Sequence, residues 1–292
     1  MSTVPRSWLY VPGHRAERVA KALVAGADAV VIDLEDAVPA DRKDAARDQT
    51  VALLDERADH GDLQVWVRIN PPGTEIGRRD VAALTGRRLD GLRIPRADDP
   101  DEVREVAERT GAPLQLLLES ARGLSRAREL AEAHELVAGI GLGEADLAAD
   151  LLVDRDEGLT WARGAVVVAA RAAGLPSPVQ SVWTDVGDTD GLRVSSERGR
   201  GTGFFGRSVV HPRQIDVVHD VYTPSADEIA AAEGIVATAA EAAARGEAAA
   251  LSADGRFVDP AVVARARTVL DRAGPAAQRV SPAPQLRSGE DT

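Results

Sequence analysis

Short apolar runs alternate with amphipathic helical patterns through the first 222 residues. No other feature constrains the fold as tightly. The runs are Trp8–Val11, Ala29–Leu34, Gln64–Ile69, Gly91–Ile94, Leu114–Leu118, Leu136–Ile140, Pro178–Val182 and Ser208–Val210. Between them lie helical stretches at 15–24, 42–58, 80–84, 101–109, 124–133, 161–173 and 195–198, the first ones with apolar residues three and four apart. Strands that alternate with helices predict a parallel sheet covered by helices. Eight such units in roughly 220 residues suit a closed (β/α)₈ TIM barrel. An open doubly wound sheet is the other solution, but no Gly-x-Gly-x-x-Gly follows the first run to support it.

In such a barrel the chemistry sits where strands end and the following loops begin. Two runs end in acids: Leu114–Leu118 leads into Glu119, and the run to Ile140 leads through Gly141-Leu142-Gly143-Glu144-Ala145 to Asp146. Two carboxylates in one low-dielectric mouth must bind a proton or share a cation. Oxygen-only donors favour Mg²⁺, which uses one or two protein carboxylates and keeps places for water and substrate. The competing reading makes Glu119 and Asp146 caps of the helices that follow. Arg68 ends the third run and can hold a carboxylate or enolate oxygen, or form an ion pair with Glu35 or Asp36. Asp33-Leu34-Glu35-Asp36 either orients a site around Arg68 or caps the next helix. Arg15, Arg18 and Lys21 form a basic stripe at a helix start, suited to an anion or to solvent. Pro95-Arg96 ends the fourth run. His211 before Pro212 has no paired acid nearby in sequence and reads as structural.

After Tyr222 the pattern changes. Ser225 and Glu228 have the spacing of a capping box that opens a long Ala-rich helix. A second helix starts at Pro260 behind the N-cap candidate Asp259. The expected organisation is a catalytic barrel over 1–222, C-terminal helices with a lid segment over 223–273, and a disordered tail over 274–292. The chain has 292 residues with 47 acidic against 35 basic, a net charge of -12, which argues against nucleic-acid partners. It has no Cys, so thiol catalysis and cysteine metal sites are excluded. The start lacks a signal-peptide pattern, and no run reaches the roughly 18 apolar residues of a membrane span. A cytoplasmic location without membrane contact is expected.

Taken in order, Arg6-Ser7-Trp8-Leu9-Tyr10-Val11-Pro12-Gly13, Asp33-Leu34-Glu35-Asp36-Ala37-Val38, Arg68-Ile69-Asn70, Glu119-Ser120-Ala121-Arg122-Gly123, Gly143-Glu144-Ala145-Asp146-Leu147, Val210-His211-Pro212-Arg213-Gln214 and Gly255-Arg256-Phe257-Val258-Asp259 carry a resemblance. The chain resembles the citrate lyase beta-subunit-like proteins and the malyl-CoA and citramalyl-CoA lyases of the HpcH/HpaI aldolase superfamily. The resemblance spans about Arg6 to Ala273. It implies a homotrimer or dimer of trimers that cleaves or forms a 3-hydroxyacyl-CoA thioester, giving an acyl-CoA and a 2-oxo acid. It implies Mg²⁺ on Glu119 and Asp146, and Arg68 steadying the enolate with Glu35 and Asp36 beside it. Arg15, Lys21 and Pro95 would lie toward the substrate or CoA. Asp259 would reach a neighbouring subunit's mouth and exchange the proton on the thioester α-carbon. Three departures bear on the substrate: Arg96 where relatives usually have Lys, no Asp near Val179-Gln180, and Arg207 for a frequent Lys. Other functions remain open: a citrate-lyase-type subunit working on an acyl-carrier-protein thioester, a thioesterase, and a binding protein on an inactive barrel.

Overall fold

The computed structural model describes residues 4–56, 61–247, 249–251, 255 and 257–273. The expected tail at 274–292, and residues 248, 252–254 and 256 of the link before Phe257, lie outside the described residues. The chain divides at Tyr222/Thr223 into two compact units.

The first unit is built on seven parallel strands: β1 (Ser7–Pro12), β2 (Ala29–Asp33), β3 (Gln64–Arg68), β4 (Gly91–Ile94), β5 (Leu114–Leu118), β6 (Val137–Leu142) and β7 (Arg207–Val209). Their order is β6-β5-β4-β3-β2-β1-β7, so each neighbour in space is a neighbour in sequence until the last step from β1 to β7. Helices α1 (Ala16–Ala22), α2 (Lys43–Glu56), α3 (Glu75–Leu84), α4 (Pro100–Thr110), α5 (Ala121–Ser125), α6 (Ala127–Ala131), α7 (Glu144–Asp150), α8 (Thr160–Ala172), α9 (Thr189–Gly201) and α10 (Ile215–Tyr222) fill the connections. This is the α/β barrel architecture expected from the alternation.

One expected strand is corrected. Pro178–Val182 forms no ladder; it contributes a single parallel bridge, Gln180 to Arg207. Pro176 and Pro178 remove backbone donors just where pairing would begin. The segment still spans the gap between the outer strands. Ser208 N–H donates to Gln180 O at 2.9 Å on the β7 side. On the β6 side, Ser181 Oγ donates to Leu142 O at 2.6 Å. A side chain thus replaces part of a missing backbone ladder.

Strand alternation separates two cores. Val30, Ile32, Val65, Val67, Leu92, Ile94, Leu114, Leu116 and Leu118 pack outward against the helices. The opposite parity faces the lumen, where Trp8, Ala29, Val31, Trp66 and Val179 cluster with Tyr10 and Ala138. Trp8 and Trp66 rings meet at 5.1 Å, plugging the barrel from within. One step of two residues along the same parity leads from Val31 to Asp33, from Trp66 to Arg68 and from Leu117 to Glu119. The apolar plug therefore gives way to charge at the C-terminal ends of the strands.

The second unit contains α11 (Ala226–Ala244), the short antiparallel pair β8 (Ala250–Leu251) and β9 (Phe257–Val258), and α12 (Pro260–Ala273). Ser225 and Glu228 form the expected capping box. Asp259 Oδ1 accepts from Val262 N–H at 2.9 Å, capping α12. No helix among the described residues is long and apolar enough to cross a membrane.

Candidate active site

A cavity of about 420 Å³ opens at the C-terminal ends of the strands, lined in part by Tyr10, Asp33, Asp36, Arg68, Arg93, Glu119, Asp146, Ser181 and Ser208. A slightly larger one, about 490 Å³, lies between α1 and α2 against Gly13, Val19 and Leu53 and carries no comparable charge constellation.

Glu119 follows β5 and is 6% exposed. It is not a helix cap: Ser120 fills that role, its side chain accepting from Gly123 N–H. Glu119 Oε1 instead accepts from Arg96 N–H at 2.8 Å. Arg96 adopts φ 46°, a left-handed conformation unusual for a non-glycine residue, and this turn after Pro95 aims the N–H at the carboxylate. Gly143 lets the β6 end pass close by, since a Cβ there would collide with the Glu119 carboxylate. Burial first, and the charge of Asp146 second among the raising influences, push the Glu119 carboxyl up to about 7, against the lowering effect of the Arg96 N–H. Asp146 is exposed in the first turn of α7, whose N-cap is Gly143, so it is not a cap either. Its carboxylate has no hydrogen bond or ion pair among the described residues. Its neighbour Glu144 is committed elsewhere, held by Arg163 Nη2 at 2.6 Å.

Arg68 is gripped by three acids. Its Nε and Nη2 donate to Asp33 Oδ1 and Oδ2 at 2.7 and 2.6 Å. Nη1 lies 2.7 Å from Glu35 Oε2 and donates to Asp36 Oδ2 at 3.3 Å. Asp33 also accepts from Glu35 N–H and Ala37 N–H, so the acidic loop folds around one carboxylate. Lys43, on α2, ties the same loop from outside by donating to Leu34 O and Glu35 O. Burial alone would lower the Arg68 pKa, but Asp33 and Glu35 raise it further, so the guanidinium stays charged. Glu35 is pushed up to about 8, mainly by burial, with Asp36, Glu119 and Asp33 adding to the effect and Arg68 opposing it.

These two raised carboxyls set a pH dependence. Between the ordinary value of 4.5 and about 7 to 8, the folded chain holds protons that the unfolded chain has released. Stability therefore falls as pH rises through that window. In a metal-chelating buffer the melting temperature is expected to decline from pH 5 to pH 8. Glu35→Gln should flatten part of the slope, and a melting temperature that rises across the window would refute the assignment.

The other sequence candidates lie differently. Arg15, Arg18 and Lys21 are exposed on or beside α1 and do not line the cavity. Pro95 is buried, and its place is to set the turn that points Arg96 N–H at Glu119. His211 caps the turn at Pro212–Gln214. Sequence reading passed over Arg93 and Tyr10, although the parity that places Leu92 and Ile94 outward also sends Arg93 into the lumen.

The donor set suits a hard divalent cation. Among the described residues no three His, Cys, Asp or Glu side chains converge as a self-sufficient metal cage. The pair Glu119 and Asp146 supplies oxygen ligands only and leaves positions open, the pattern of magnesium rather than zinc. A cation between them would also relieve the repulsion that raises Glu119.

Known proteins share this chain's sequence pattern and fold. The chain is 38% identical over 273 residues to a (3S)-malyl-CoA thioesterase of Cereibacter sphaeroides, covering 92% of this chain and 94% of that one. It is 35% identical to the citrate lyase subunit beta of Escherichia coli K12, over 92% and 93% of the two chains. Among solved structures, CitE of Mycobacterium tuberculosis in complex with magnesium, acetoacetate and coenzyme A superposes with a TM-score of 0.77 at 34% identity, covering 94% of this chain and all of the other. The citrate lyase beta subunit of the same organism complexed with oxaloacetate and magnesium gives a TM-score of 0.66 at 35% identity, over 75% and 97%. The family model HpcH/HpaI aldolase/citrate lyase matches residues 6–212. With barrel, acid pair and guanidinium in one mouth, the chain belongs to the HpcH/HpaI aldolase/citrate lyase family of enzymes.

Proposed function

We propose that the protein is a Mg²⁺-dependent carbon–carbon lyase that cleaves, or in reverse forms, a 3-hydroxyacyl-CoA thioester such as malyl-CoA or citramalyl-CoA. The observation that carries the reading is the placement of Glu119, Asp146 and Arg68 on one cavity, where among the described residues Asp146 is unpaired and Glu119 is held by a single backbone donor. Magnesium-bound relatives that hold a 2-oxo acid or coenzyme A support it.

Glu119 and Asp146 would hold Mg²⁺, which supplies Lewis-acid polarisation and templating of the oxo-acid half. Glu35 stands beside Arg68 and keeps its proton until about pH 8, so near neutrality its carboxyl suits giving a proton to the oxo oxygen in the condensation direction, and its ionised form takes the hydroxyl proton in cleavage. Asp36 shares the loop and tunes Glu35 by charge. Arg68 has five N–H donors and four contacts to acids, which leaves a donor for the enolate oxygen as the carbon–carbon bond breaks. Asp259 from a neighbouring copy, in a cytoplasmic homotrimer or dimer of trimers, returns a proton to the α-carbon. Arg15 and Lys21 steer the anionic thioester.

A panel of malyl-, citramalyl-, β-methylmalyl- and hydroxymethylglutaryl-CoA, with and without Mg²⁺, tests the reading by scoring free CoA, acyl-CoA and oxo acid. The expected result is Mg²⁺-dependent acyl-CoA plus oxo acid. Free CoA with the intact hydroxy acid would establish hydrolysis instead, the reading that the malyl-CoA thioesterase relative favours. The same panel with Asp259→Asn should retain the Mg²⁺-induced rise in melting temperature and lose turnover; unchanged turnover would reduce Asp259 to a helix cap.

A further inference from the structure

Where the 178–182 segment forms no ladder with β6, one hydroxyl takes the place of a strand. In a parallel ladder, Leu142 O and Glu144 N–H at the end of β6 would be met by the N–H and C=O of a single residue on the adjacent strand. Here Ser181 Oγ meets both, donating to Leu142 O at 2.6 Å and accepting from Glu144 N–H at 3.4 Å. The two bonds bracket Gly143. The Gly143 N–H is tied to β5 by donating to Leu118 O at 3.2 Å, and a Cβ on Gly143 would fall 2.4 Å from Glu119 Oε2. Asp146 follows three residues later, in the first turn of α7. That helix has little else to hold it. It is seven residues long, buries only Leu147 and has no side-chain N-cap. Among the described residues, the polar contacts that tie its first turn to other elements are Ser181 Oγ on the Glu144 N–H and Arg163 on the Glu144 carboxylate.

Ser181 is set in turn by its neighbour. The Gln180 backbone donates to Gly206 O and accepts from Ser208 N–H. Its side-chain amide accepts from Tyr222 OH and donates to Ser195 O at 3.1 Å. Gly199 packs onto that amide with no room for a Cβ. A residue fastened to β7, α9 and α10 therefore presents the Ser181 hydroxyl to the β6 turn in a fixed place.

Resting on the reading of Glu119 and Asp146 as a Mg²⁺ pair, we infer that Ser181 is a positioning residue for that pair. Its hydroxyl stands in for a strand, holds the Gly143 turn beside Glu119, and so keeps Asp146 where both carboxylates reach one ion. The hydroxyl is spent on two backbone groups and is not itself a ligand. Removing it leaves Leu142 O and Glu144 N–H to water and lets α7 pivot about Leu147, its one buried residue. Mg²⁺ demands near-ideal octahedral geometry, whereas Ca²⁺ accepts a larger and looser set of oxygens. Ser181 therefore sets how tightly the pair holds Mg²⁺ and how far it prefers Mg²⁺ to Ca²⁺.

The test titrates MgCl₂ and CaCl₂, each alone, into the metal-free full chain by calorimetry. Ser181→Ala should weaken Mg²⁺ by about tenfold, the lower range for groups that orient a metal ligand, and Ca²⁺ by clearly less. Ser181→Thr keeps the hydroxyl and should recover most of the Mg²⁺ affinity. Unchanged Mg²⁺ affinity in folded Ser181→Ala overturns the inference, even if its melting temperature without metal falls, because a merely structural hydroxyl predicts that pair of results. Equal weakening of the two ions also overturns it, because a lost ligand predicts that. If Ser181→Ala does not fold, Ser181→Cys takes its place: the thiol is close in size and a weak hydrogen-bonding group, so it should lose part of the Mg²⁺ preference, and a wild-type preference in that variant overturns the inference. A wild type that binds neither ion removes the metal reading and this inference together, an outcome distinct from wild-type binding that the variants leave intact.

Discussion

Asp146→Asn should leave a folded protein whose Mg²⁺-dependent turnover is lower by on the order of a thousandfold, the rate equivalent of several kcal/mol of lost charge stabilisation. The fold should survive because the Asp146 carboxylate is exposed and caps nothing: Gly143 occupies the N-cap of α7, and Leu147, the neighbour that anchors the helix, is untouched. Asn keeps the volume and one oxygen but removes the charge. Glu119→Gln is the companion. Its oxygen can still accept from Arg96 N–H, so the strained turn at Arg96 keeps its partner while half of the anionic donor set is gone. Each variant should lose the rise in melting temperature that Mg²⁺ gives the wild type, since a ligand stabilises only the state that binds it. Without metal the two should differ. Glu119→Gln removes a buried carboxyl whose ionisation is suppressed, and it should gain stability relative to wild type above pH 7. Asp146→Asn should gain less, through the relief of Glu119. Either variant retaining both the Mg²⁺-dependent melting shift and full turnover would sink the metal assignment.

How much of this was legible in the sequence follows from what a strand pattern encodes. An apolar run bounded by polar residues marks a buried strand, and seven of the eight expected runs became strands. The residue after a run marks the barrel mouth, and by that route Arg68, Glu119 and the acids of 33–36 were found. The exception, Pro178–Val182, failed because backbone pairing needs donors that prolines do not carry, and the closing contact runs through Ser181 Oγ, which apolar patterning cannot register. Asp146 lies beyond a glycine-rich turn, and only the path of Gly141 to Gly143 past Glu119 brings it alongside. Arg93 was missed for a different reason. Between Leu92 and Ile94 it reads as an interruption in a strand, and its meaning depends on which parity faces the lumen, a fact fixed by the neighbouring strands. The cap reading of Glu119 likewise falls only once Ser120 is seen to take the cap, which the spacing of the two residues does not reveal.

Arg68→Met is expected to damage rate and stability together, and the two losses should separate with pH. Among the described residues, the side chain is the only cation paired with Asp33, Glu35 and Asp36. Asp33 is 1% exposed, so removing the guanidinium strands a buried carboxylate, a change that costs about 3–5 kcal/mol. Two backbone donors, Glu35 N–H and Ala37 N–H, remain on Asp33 and keep the loss toward the lower end of that range. Turnover should fall by roughly a hundredfold to a thousandfold, the worth of a donor aimed at a developing oxyanion. Arg68 is the group that opposes the rise of Glu35, so without it Glu35 holds its proton beyond about pH 8 in the folded state. Folding then binds that proton over a wider window, so the stability deficit should shrink as pH falls from about 9 to about 7. The rate deficit should not shrink with it, because a protonated Glu35 eases the fold without restoring a donor to the enolate. Asp33→Asn in the Arg68→Met background should recover stability while leaving turnover low, a coupling that a double-mutant cycle measures directly. If rate and stability instead recover together at low pH or in the double variant, Arg68 acts only by holding the acidic loop in place, and the enolate contact is not its role.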